Sequence, residues 1–298
     1  MSESLRIGVP SKGRLADLAG ELLRDAGLKF RRQNRDLFAR VKAAVGIDAT
    51  PIDVTFLRTD DIPVLVAEGA IDLGITGGDL VQEAGVNEPR AERAAAITRL
   101  KLGMGGCRLA ICVPESSPVV SAKDMGGDRI ATSFPNVTRE YLNQHGVTGH
   151  IVELTGSVEV MIALGVADAI VDLVETGSTL AANKLRILDT IGSYETVLLQ
   201  NPATKHTELC DQITRRIEGV IIARGYSLLE YNVPQDKLAE AEALTPGFES
   251  PTVNKLEEAG WCSVRAMVKR SDVIGVMERL EALGATAILE TEIKNCRL

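Results

Sequence analysis

Aromatic residues and basic charge are both scarce in this chain, and each scarcity argues against a class of partner. Only 3% of the residues are Phe, Trp or Tyr, too few for a platform on which single-stranded nucleic acid stacks its bases. The 33 basic residues are outnumbered by 41 acidic ones, and the net charge of −8 argues against a broad basic surface for nucleic acid. A few local Lys, Arg and backbone N–H groups still suffice to bind one phosphate.

The chain offers little for metal or disulfide chemistry. Its five cysteines are odd in number and form no CxxC pair, and its three histidines form no metal-ligand spacing. No apolar run approaches the length of a membrane span, and the N-terminus runs into the strand-like LRIGVP without a signal-peptide core. We therefore expect a cytoplasmic, reduced protein with no nucleic-acid or membrane partner.

Short β-branched runs alternate with helical patterns over the first two thirds of the chain. LRIGVP precedes a helical stretch that ends at Gly27, IDVTFLR precedes one with Thr59 as its predicted N-cap, and IDLGIT precedes GGDLVQEAG. This alternation predicts parallel sheets, in which ligands bind beyond the carboxyl ends of the strands. The glycine-rich stretch from Arg99 to Gly106 predicts a crossing into a second lobe, and the segment from Leu188 to Leu199 predicts the return.

The pattern changes after a helix that is predicted to end at Gly225. Strands at YSLLEYNVP, SPTVNKL, WCSVRAMV and TAILETEI accompany two helices, the second with Ser271 as its predicted N-cap. The order β-α-β-β-α-β is that of a ferredoxin-like unit. The predicted domains are residues 1–102 as a first lobe completed by 190–224, residues 103–189 as a second lobe, and residues 225–298 as a separate C-terminal domain.

Four predicted junctions between a strand and a helix share one composition of glycine, hydroxyl and acidic residues. They are PSKGRL (10–15), TGGDL (76–80), TSFPN (132–136) and ETGSTL (175–180). Glycine lets the backbone turn tightly, and the hydroxyl and N–H groups at a helix start can then converge on a phosphate. The same residues are the ordinary caps of helices, so a single loop of this kind favours capping. Four at one sheet edge favour a phosphate-rich ligand.

The loop at 175–180 is the most informative, because two carboxylates precede it. Asp168 and Asp172 are four residues apart, and on an extended strand an even spacing places side chains on one face. Acids beside a phosphate site can bind sugar hydroxyls or a Mg²⁺ ion that screens pyrophosphate. Equally, Asp168 can cap the entry of the strand and Asp172 can pair with a neighbouring base.

Basic side chains accompany these loops. Lys12 and Arg14 lie in the first loop, and Arg58 ends the strand-like TFLR. Arginine offers a planar fork to phosphate, whereas lysine acts as a point charge. The alternative for Arg58 is an ion pair with Asp60 or Asp61, which follow it closely.

Five motifs resemble, in this order, those of the ATP phosphoribosyltransferase family: SKGRL, DLGITGGD, ATSFPN, GSVEV and ADAIVDLVETGSTLAAN. Members of that family catalyse the first step of histidine biosynthesis. LTPGFESPTV and LGATAILETEIKNCRL extend the resemblance to the long form of that family, from Leu5 to Leu298. It implies an α/β fold with a two-lobed catalytic region like a periplasmic binding protein, and a C-terminal ACT-like domain that binds histidine. It also implies homodimers that assemble into homohexamers.

The implied reaction transfers the phosphoribosyl group of phosphoribosyl pyrophosphate to an adenine ring nitrogen of ATP. Mg²⁺ is expected to be carried mainly by the pyrophosphate, with Asp168 and Asp172 as candidate protein ligands. The residues that the resemblance places in the catalytic machinery are Lys12, Arg14, Arg58, Asp168 and Asp172. Those that it places against the substrates are Gly77, Asp79, Thr132, Ser133, Glu175, Thr176, Gly177, Ser178, Thr179 and Leu180.

The implied histidine site shows one departure from the family pattern. An acidic residue is expected on the strand that reads LLEYNVP, but the matching position is Asn232. A neutral amide can bond the amino group of the effector without forming a full charge pair. The other matching positions are Phe248, Ser250, Thr252, Met267 and Ala287.

Two readings from other classes compete with the enzyme. A binding module of the periplasmic type would share the lobes, and fold alone does not separate it from an enzyme. The absence of a signal peptide and the acids before the phosphate loop favour the enzyme. The effector domain of a transcription factor would need a DNA-binding helix pair at one end, but the N-terminus begins with a strand.

Overall fold

A computed structural model describes residues 4–33, 36–42, 50–88, 94–175 and 177–297. The chain divides into two compact units. One comprises Met1–Gly20 and Lys29–Cys210, and the other comprises Glu21–Leu28 and Asp211–Leu298. No helix in the described part of the chain is long and apolar enough to cross a membrane.

Strands and helices alternate along most of the described chain. The strands are β1 (Leu5–Pro10), β2 (Phe38–Arg40), β3 (Ile52–Leu57), β4 (Leu73–Gly77), β5 (Ile97–Lys101), β6 (Cys107–Pro114), β7 (Arg129–Thr132), β8 (His150–Glu153), β9 (Ala169–Val174), β10 (Leu185–Tyr194), β11 (Thr196–Gln200), β12 (Tyr226–Pro234), β13 (Thr252–Lys255), β14 (Trp261–Lys269) and β15 (Thr286–Glu292). The α-helices are α1 (Arg14–Asp25), α2 (Asp61–Ala67), α3 (Gly78–Ala84), α4 (Pro135–Gln144), α5 (Val160–Ala163), α6 (Ser178–Ala182), α7 (Thr207–Gly225), α8 (Leu238–Leu244) and α9 (Val273–Ala282).

The first sheet has the order β2-β3-β1-β4-β11-β5. Strand β1 pairs in parallel with β3 and β4, and its side chains Leu5, Ile7 and Val9 are buried. A strand that is apolar along its length belongs at the centre of a sheet covered by helices. The carboxyl ends of these three parallel strands therefore bring the turns after Pro10, Leu57 and Gly77 to one edge.

The second sheet belongs to the same compact unit and has the order β10-β6-β9-β7-β8. Strand β7 pairs in parallel with β8 and β9, whereas β6 runs antiparallel to β9 and β10. Its core includes the fully buried Leu109, Ile111, Ile130 and Val171. The carboxyl ends of β7 and β9 carry the loops at 132–136 and 175–180. The chain crosses from the first sheet to the second after β5 and returns at β11.

The third sheet lies in the second compact unit and has the order β13-β14-β12-β15, with every pairing antiparallel. Residues of β12 alternate between buried and half-buried, because alternate side chains pack beneath α8 and α9. The expected β-α-β-β-α-β unit is present. With the two α/β lobes of the first unit, this confirms the predicted fold class.

Two predicted helix caps are wrong by one residue. Helix α2 is preceded by Asp60 as its N-cap, not Thr59, and α9 by Asp272, not Ser271. Neither aspartate makes a side-chain capping bond. The Asp60 carboxylate accepts from Arg58 instead, and the hydroxyl of Ser271 donates to Asp272 at 2.8 Å.

Candidate active site

The loop after β9 turns at Gly177. This residue has a φ angle of +80°, in the left-handed region that glycine adopts without strain, and α6 begins at the next residue. Backbone N–H groups at the start of a helix lack intrahelical acceptors, so such a turn offers donors to an anion. Thr176, predicted to bind substrate, lies outside the described residues.

A cavity of about 400 Å³ opens at this loop. Strand β9 contributes one wall, and the first turn of α6 contributes another. The residues that line the cavity are Glu159, Ile170, Asp172, Leu173, Val174, Glu175, Gly177, Ser178, Thr179 and Leu180. The structure thus brings together Asp172 and every described residue predicted from the 175–180 loop. Glu159 was missed from the site predicted from the sequence, although it lies within the quoted GSVEV motif.

Asp172 is half-buried at the wall of this cavity. Its Oδ1 accepts a hydrogen bond from the backbone N–H of Leu173 at 2.8 Å. Burial raises the pKa of Asp172, the Leu173 N–H opposes this shift, and the charge of Glu159 adds to it. A partly desolvated carboxylate facing a polar cavity is suited to hydroxyl groups or a cation.

Asp168 lies at the opposite end of the strand. It immediately precedes β9, and its carboxylate accepts bonds from the backbone N–H of Arg129 at 2.9 Å and from the guanidinium at 2.8 and 3.0 Å. These contacts lower the pKa of Asp168 to about 2, with the Arg129 side chain as the largest cause. The structure therefore separates Asp168 from the loop. Its position is that of the alternative considered above, a carboxylate at the entry of the strand.

A second cavity, of about 430 Å³, adjoins the first and shares Leu173 and Glu175 with it. Leucines from both lobes form its apolar walls, and its polar groups include one buried carboxylate and one guanidinium. The residues that line it are Arg14, Leu15, Leu18, Thr59, Gly77, Asp79, Leu80, Gly105, Cys107, Leu173, Glu175 and Thr196. Gly77, Asp79 and Arg14 were predicted from the sequence, whereas the leucines and Cys107 were not.

An ion pair marks the border of the two cavities. Nη2 of Arg14, from the first lobe, lies 2.6 Å from Oε1 of Glu175, from the second. The two side chains are 64% and 49% exposed, and exposed pairs contribute only about 0–1 kcal/mol. A phosphate could therefore replace the Glu175 carboxylate on Arg14 at small cost.

The other basic candidates lie at the same edge of the first sheet. Lys12 is exposed on the turn between β1 and α1. Arg58 binds Asp60 through two hydrogen bonds of 3.1 and 2.8 Å, which is the alternative considered for it above. This side chain pairing is the largest cause lowering the pKa of Asp60. Arg58 can bind a ligand only if the ligand replaces Asp60 as its partner. The ion pair is exposed and therefore weak enough to allow this replacement.

Asp79 is the buried carboxylate of the second cavity. It is 5% exposed, and burial raises its pKa, although the N–H groups of Asp79 and Leu80 oppose the shift. Gly77 leaves room for it, because a Cβ at position 77 would fall 2.1 Å from Oδ1 of Asp79. Backbone strain does not explain the glycine, because its φ angle of −75° is open to any residue. The nearby carboxylate does explain it.

We expect Gly77→Ala to lower kcat/KM by about 10-fold with little change in folding, because the new methyl group must displace the Asp79 carboxylate. Displacements of about 1 Å at a site can cost up to ~100-fold in rate. Steady-state kinetics and thermal melts would measure both quantities. Gly126→Ala is the control, since a Cβ there would meet no other described residue within 4 Å, its chain neighbours apart. Equal kcat/KM in the two variants would contradict the role given to Gly77.

The 132–136 loop has a different environment from the one predicted. Thr132 is fully buried, and its hydroxyl donates to the carbonyl of Val171 and accepts from the N–H of Phe134, both at 2.9 Å. Ser133 is half-buried beside it. The first N–H groups of α4 are occupied by the carboxylate of Glu83. The donors expected to receive a phosphate are therefore already paired within the protein.

The predicted effector residues lie in the C-terminal unit. Strand register places Asn232, Met267 and Thr252 on the sheet face opposite α8 and α9. Phe248 is 46% exposed and packs edge-to-face on Tyr226, with ring centroids 5.5 Å apart. The remaining two residues, Ser250 and Ala287, are exposed, and Ala287 has a φ angle of +49°.

Comparison with known proteins gives one consistent result. The ATP phosphoribosyltransferase family (HisG) matches residues 58–219, and the HisG C-terminal domain matches residues 223–295. An ATP phosphoribosyltransferase from Rhodopirellula baltica is 58% identical over 294 residues, covering 99% of this chain and 94% of that protein. One from Saccharopolyspora erythraea is 40% identical, covering 99% and 100%.

Among solved structures, the ATP phosphoribosyl transferase (HisG:HisZ) complex from Thermotoga maritima contains a similar chain. It superposes with a TM-score of 0.57 at 30% identity, covering 72% of this chain and 98% of that one. Fold, site and matches together define the class as a glycosyltransferase of the pentosyl type. Within that class, the chain belongs to the ATP phosphoribosyltransferase family.

Proposed function

We propose that the chain transfers the phosphoribosyl group of phosphoribosyl pyrophosphate to an adenine ring nitrogen of ATP, giving phosphoribosyl-ATP and pyrophosphate. This is the first step of L-histidine biosynthesis. The observation that carries the proposal is the pair of adjoining cavities that share Leu173 and Glu175. One cavity has the polar groups of a sugar-phosphate site, and the other has the apolar walls of a site for a base.

The sugar substrate occupies the cavity at the 175–180 loop in this proposal. Backbone N–H groups and hydroxyls from Gly177 to Leu180 bind the 5-phosphate, because the left-handed turn at Gly177 opens the backbone to an anion. Asp172 faces the ribose hydroxyls from the neighbouring wall. We leave Asp168 out of the site because it binds Arg129 at the other end of β9.

The adenine ring occupies the second cavity, between Leu15, Leu18 and Leu80. Apolar walls stabilise a buried ring by removing its faces from water, and a few polar groups then fix its orientation. The buried Asp79 is placed to accept a hydrogen bond from the exocyclic amino group. Arg14 stands at the border of the cavities, where it can turn from Glu175 to a substrate phosphate, with Lys12 and Arg58 as further cations at that edge.

The reaction requires no strong base from the protein. The ring nitrogen attacks the anomeric carbon with its own lone pair, a C–N bond forms, and the C–O bond to pyrophosphate breaks. Positive charge grows on the sugar and negative charge on the leaving group, so positioning and cationic side chains supply most of the rate. Cys107 fits this account, since burial is the first cause that raises its pKa to about 11 and keeps the thiol protonated.

A magnesium ion fits the donor set of the sugar-phosphate cavity. Mg²⁺ prefers oxygen ligands and is commonly bound by one or two carboxylates together with substrate phosphates. Asp172 would hold it, with the pyrophosphate as its main ligand, and the bound ion would screen the charge of the leaving group. Among the described residues, no three His, Cys, Asp or Glu side chains form a metal cluster of their own.

The C-terminal unit serves as a histidine sensor in this proposal. Its sheet has its own core and contributes no residue to either cavity. Histidine would bind at Asn232, Phe248, Ser250, Thr252, Met267 and Ala287, and inhibit by coupling to the catalytic lobes. We further propose a homodimer that assembles into a homohexamer, and a cytoplasmic location, where ATP is available as substrate.

We expect Ser250→Leu to abolish both the binding of histidine and inhibition by it, while the uninhibited rate stays within about 2-fold of wild type. Ser250 is exposed on the turn between α8 and β13, so the substitution removes a hydroxyl without opening a core. Allosteric couplings are typically about 1–3 kcal/mol, or about 5- to 150-fold in affinity. Calorimetry with histidine and inhibition curves measure the two effects. Ser271→Leu, on an exposed turn elsewhere in this unit, is the control. Undiminished inhibition in Ser250→Leu would contradict the assignment.

Release of pyrophosphate tests the proposed reaction. The purified chain should release pyrophosphate only when ATP and phosphoribosyl pyrophosphate are both present with Mg²⁺. A binding module, the rival reading, would bind one of these ligands without turnover. Release in the absence of ATP would indicate hydrolysis of the sugar substrate and would contradict the transfer reaction.

A further inference from the structure

Helix α3 belongs to the first lobe, and several of its side chains contact the second. Leu80 packs against the core of the second sheet, and Gln82 accepts a hydrogen bond of 2.7 Å from the hydroxyl of Tyr194 on β10. The same helix begins directly after Gly77 and carries Asp79. A shift of α3 relative to the second sheet would therefore move one wall of the proposed adenine cavity.

Glu83 makes the most extensive of these contacts. Its carboxylate accepts from the backbone N–H of Asn136 at 2.9 and 3.1 Å and from that of Val137 at 3.0 Å. The side chain amide of Asn136 also donates to the carbonyl of Glu83 at 3.0 Å. Asn136 and Val137 lie in the first turn of the ten-residue α4, where N–H groups lack intrahelical acceptors and the helix dipole favours a negative charge.

This arrangement differs from an ordinary helix cap because the capping carboxylate comes from another lobe. Glu83 is 53 residues from Asn136 and approaches α4 from α3. Bonds between a carboxylate and N–H groups are charge-assisted and stronger than neutral ones. The two helices are bonded in both directions. The Glu83 carboxylate accepts from the backbone of α4, and the Asn136 side chain donates to the backbone of α3.

We propose that Glu83 is a positioning residue for the transfer reaction, whose carboxylate binds the start of α4 and thereby holds α3, with Gly77 and Asp79, against the second lobe. Glu83 touches no substrate in this account. The Glu83 carboxylate occupies the position at the start of α4 where an anion could bind. In this proposal the 132–136 loop therefore joins the two lobes and does not bind a phosphate. The inference about catalysis rests on the proposed function, whereas the contact between the helices does not.

Glu83→Gln tests the proposal, with Glu88→Gln as a matched control. Both substitutions remove one negative charge, but Glu88 is exposed beyond the end of α3. Gln keeps the length of the side chain, yet it lacks the charge and offers one acceptor oxygen in place of two. Two readouts are needed in the full chain. One is hydrogen exchange at the Asn136 and Val137 amides without substrates, and the other is steady-state kinetics with both substrates.

In Glu83→Gln we expect exchange at these amides to accelerate at least about 10-fold. We expect kcat/KM for ATP to fall about 10- to 100-fold, because misplaced cavity walls weaken alignment. The KM for phosphoribosyl pyrophosphate should change much less, since its loop belongs to the second lobe. A merely structural residue would not separate the two substrates in this way. Glu88→Gln should behave as wild type in both readouts.

Two results would overturn the proposal. Unchanged amide exchange in Glu83→Gln would show that the carboxylate does not hold α4 in solution. Accelerated exchange with unaltered kinetics for both substrates would show that the contact does not position the site. If the wild-type chain itself transferred no phosphoribosyl group, the proposed function would fail, and with it the catalytic role of Glu83, whereas the exchange result would still decide the contact.

Discussion

Asp172→Asn is expected to lower turnover by about 100-fold or more while leaving the melting temperature unchanged or slightly higher. The carboxylate lines the sugar-phosphate cavity and accepts a hydrogen bond from the backbone N–H of Leu173. Removing a single group that stabilises charge in a transition state typically lowers the rate about 100- to 1000-fold. Asn retains the shape and can still accept that backbone bond, so the loss would be one of charge.

The expected effect on stability follows from the direction of the pKa shift. Burial raises the pKa of Asp172 above its value in the unfolded chain, so the folded state binds the proton more tightly. This carboxyl group therefore contributes less stability as pH rises through the window between the two pKa values, and at neutral pH its ionised form weakens the fold. An amide removes that penalty, which is why the melting temperature should not fall.

Asp168→Asn is the matched control for this prediction. It is the same chemical change four residues earlier, but it breaks the contact with Arg129 at the far end of β9. The pKa of Asp168 is lowered to about 2, so the ionised group stabilises the fold at neutral pH and loses this effect as pH falls towards that value. We expect nearly normal turnover and a modest loss of stability. The reverse pattern in the two variants, measured by kinetics and thermal melts, would contradict our assignment.

Gly177→Val should raise the KM for phosphoribosyl pyrophosphate at least 10-fold while changing the KM for ATP about 2-fold or less. At a φ angle of +80° a residue with a Cβ is strained by about 1–2 kcal/mol, and a β-branched side chain is disfavoured further. Chain neighbours apart, no atom of the described residues lies within 4 Å of a Cβ built there, so the added side chain would occupy the open space left for the phosphate. Thr179→Ala should shift the same constant in the same direction by a smaller factor.

Gly165→Val separates backbone strain from the loss of a phosphate site. Gly165 also has a positive φ angle, +68°, and in the described part of the chain a Cβ there likewise meets nothing within 4 Å beyond its chain neighbours. Its carbonyl accepts a hydrogen bond from the Arg129 side chain, which also binds Asp168, and it lines neither of the two cavities. We expect lower stability but ordinary KM values for both substrates. If neither KM changed in Gly177→Val, the assignment of the loop to the phosphate would be wrong.

Local features of the site were predictable from the sequence, because their causes lie within a few residues. The turn at Gly177 follows from one glycine between a strand and a helix. Outside the site, strands β12 and β14 of the C-terminal unit also begin at the predicted residues. The pairing of Arg58 with Asp60 spans two residues and could be named in advance as an alternative. The two displaced helix caps show the ordinary limit, since neighbouring hydroxyl and acidic residues compete for one position.

Long-range features were not predictable in this way. Strand periodicity places Asp168 and Asp172 on one face. It does not show that β9 begins only after Asp168, or that Asp168 binds Arg129, which lies 39 residues earlier in the chain. The composition of the 132–136 loop is that of a phosphate loop, and only the fold reveals that Glu83 occupies its N–H groups. Leu15 and Leu18 were not predicted for the site, and only the fold shows that they line a cavity.

A crystal structure with phosphoribosyl pyrophosphate and Mg²⁺ tests the central claim most directly, because that claim concerns where the sugar substrate binds. We predict the 5-phosphate within hydrogen-bonding distance of the backbone N–H groups from Gly177 to Leu180, with the ribose beside Asp172 and Glu83 still bound to the start of α4. A 5-phosphate at the start of α4, with the Glu83 carboxylate displaced, would contradict both the assigned phosphate site and the positioning role of Glu83.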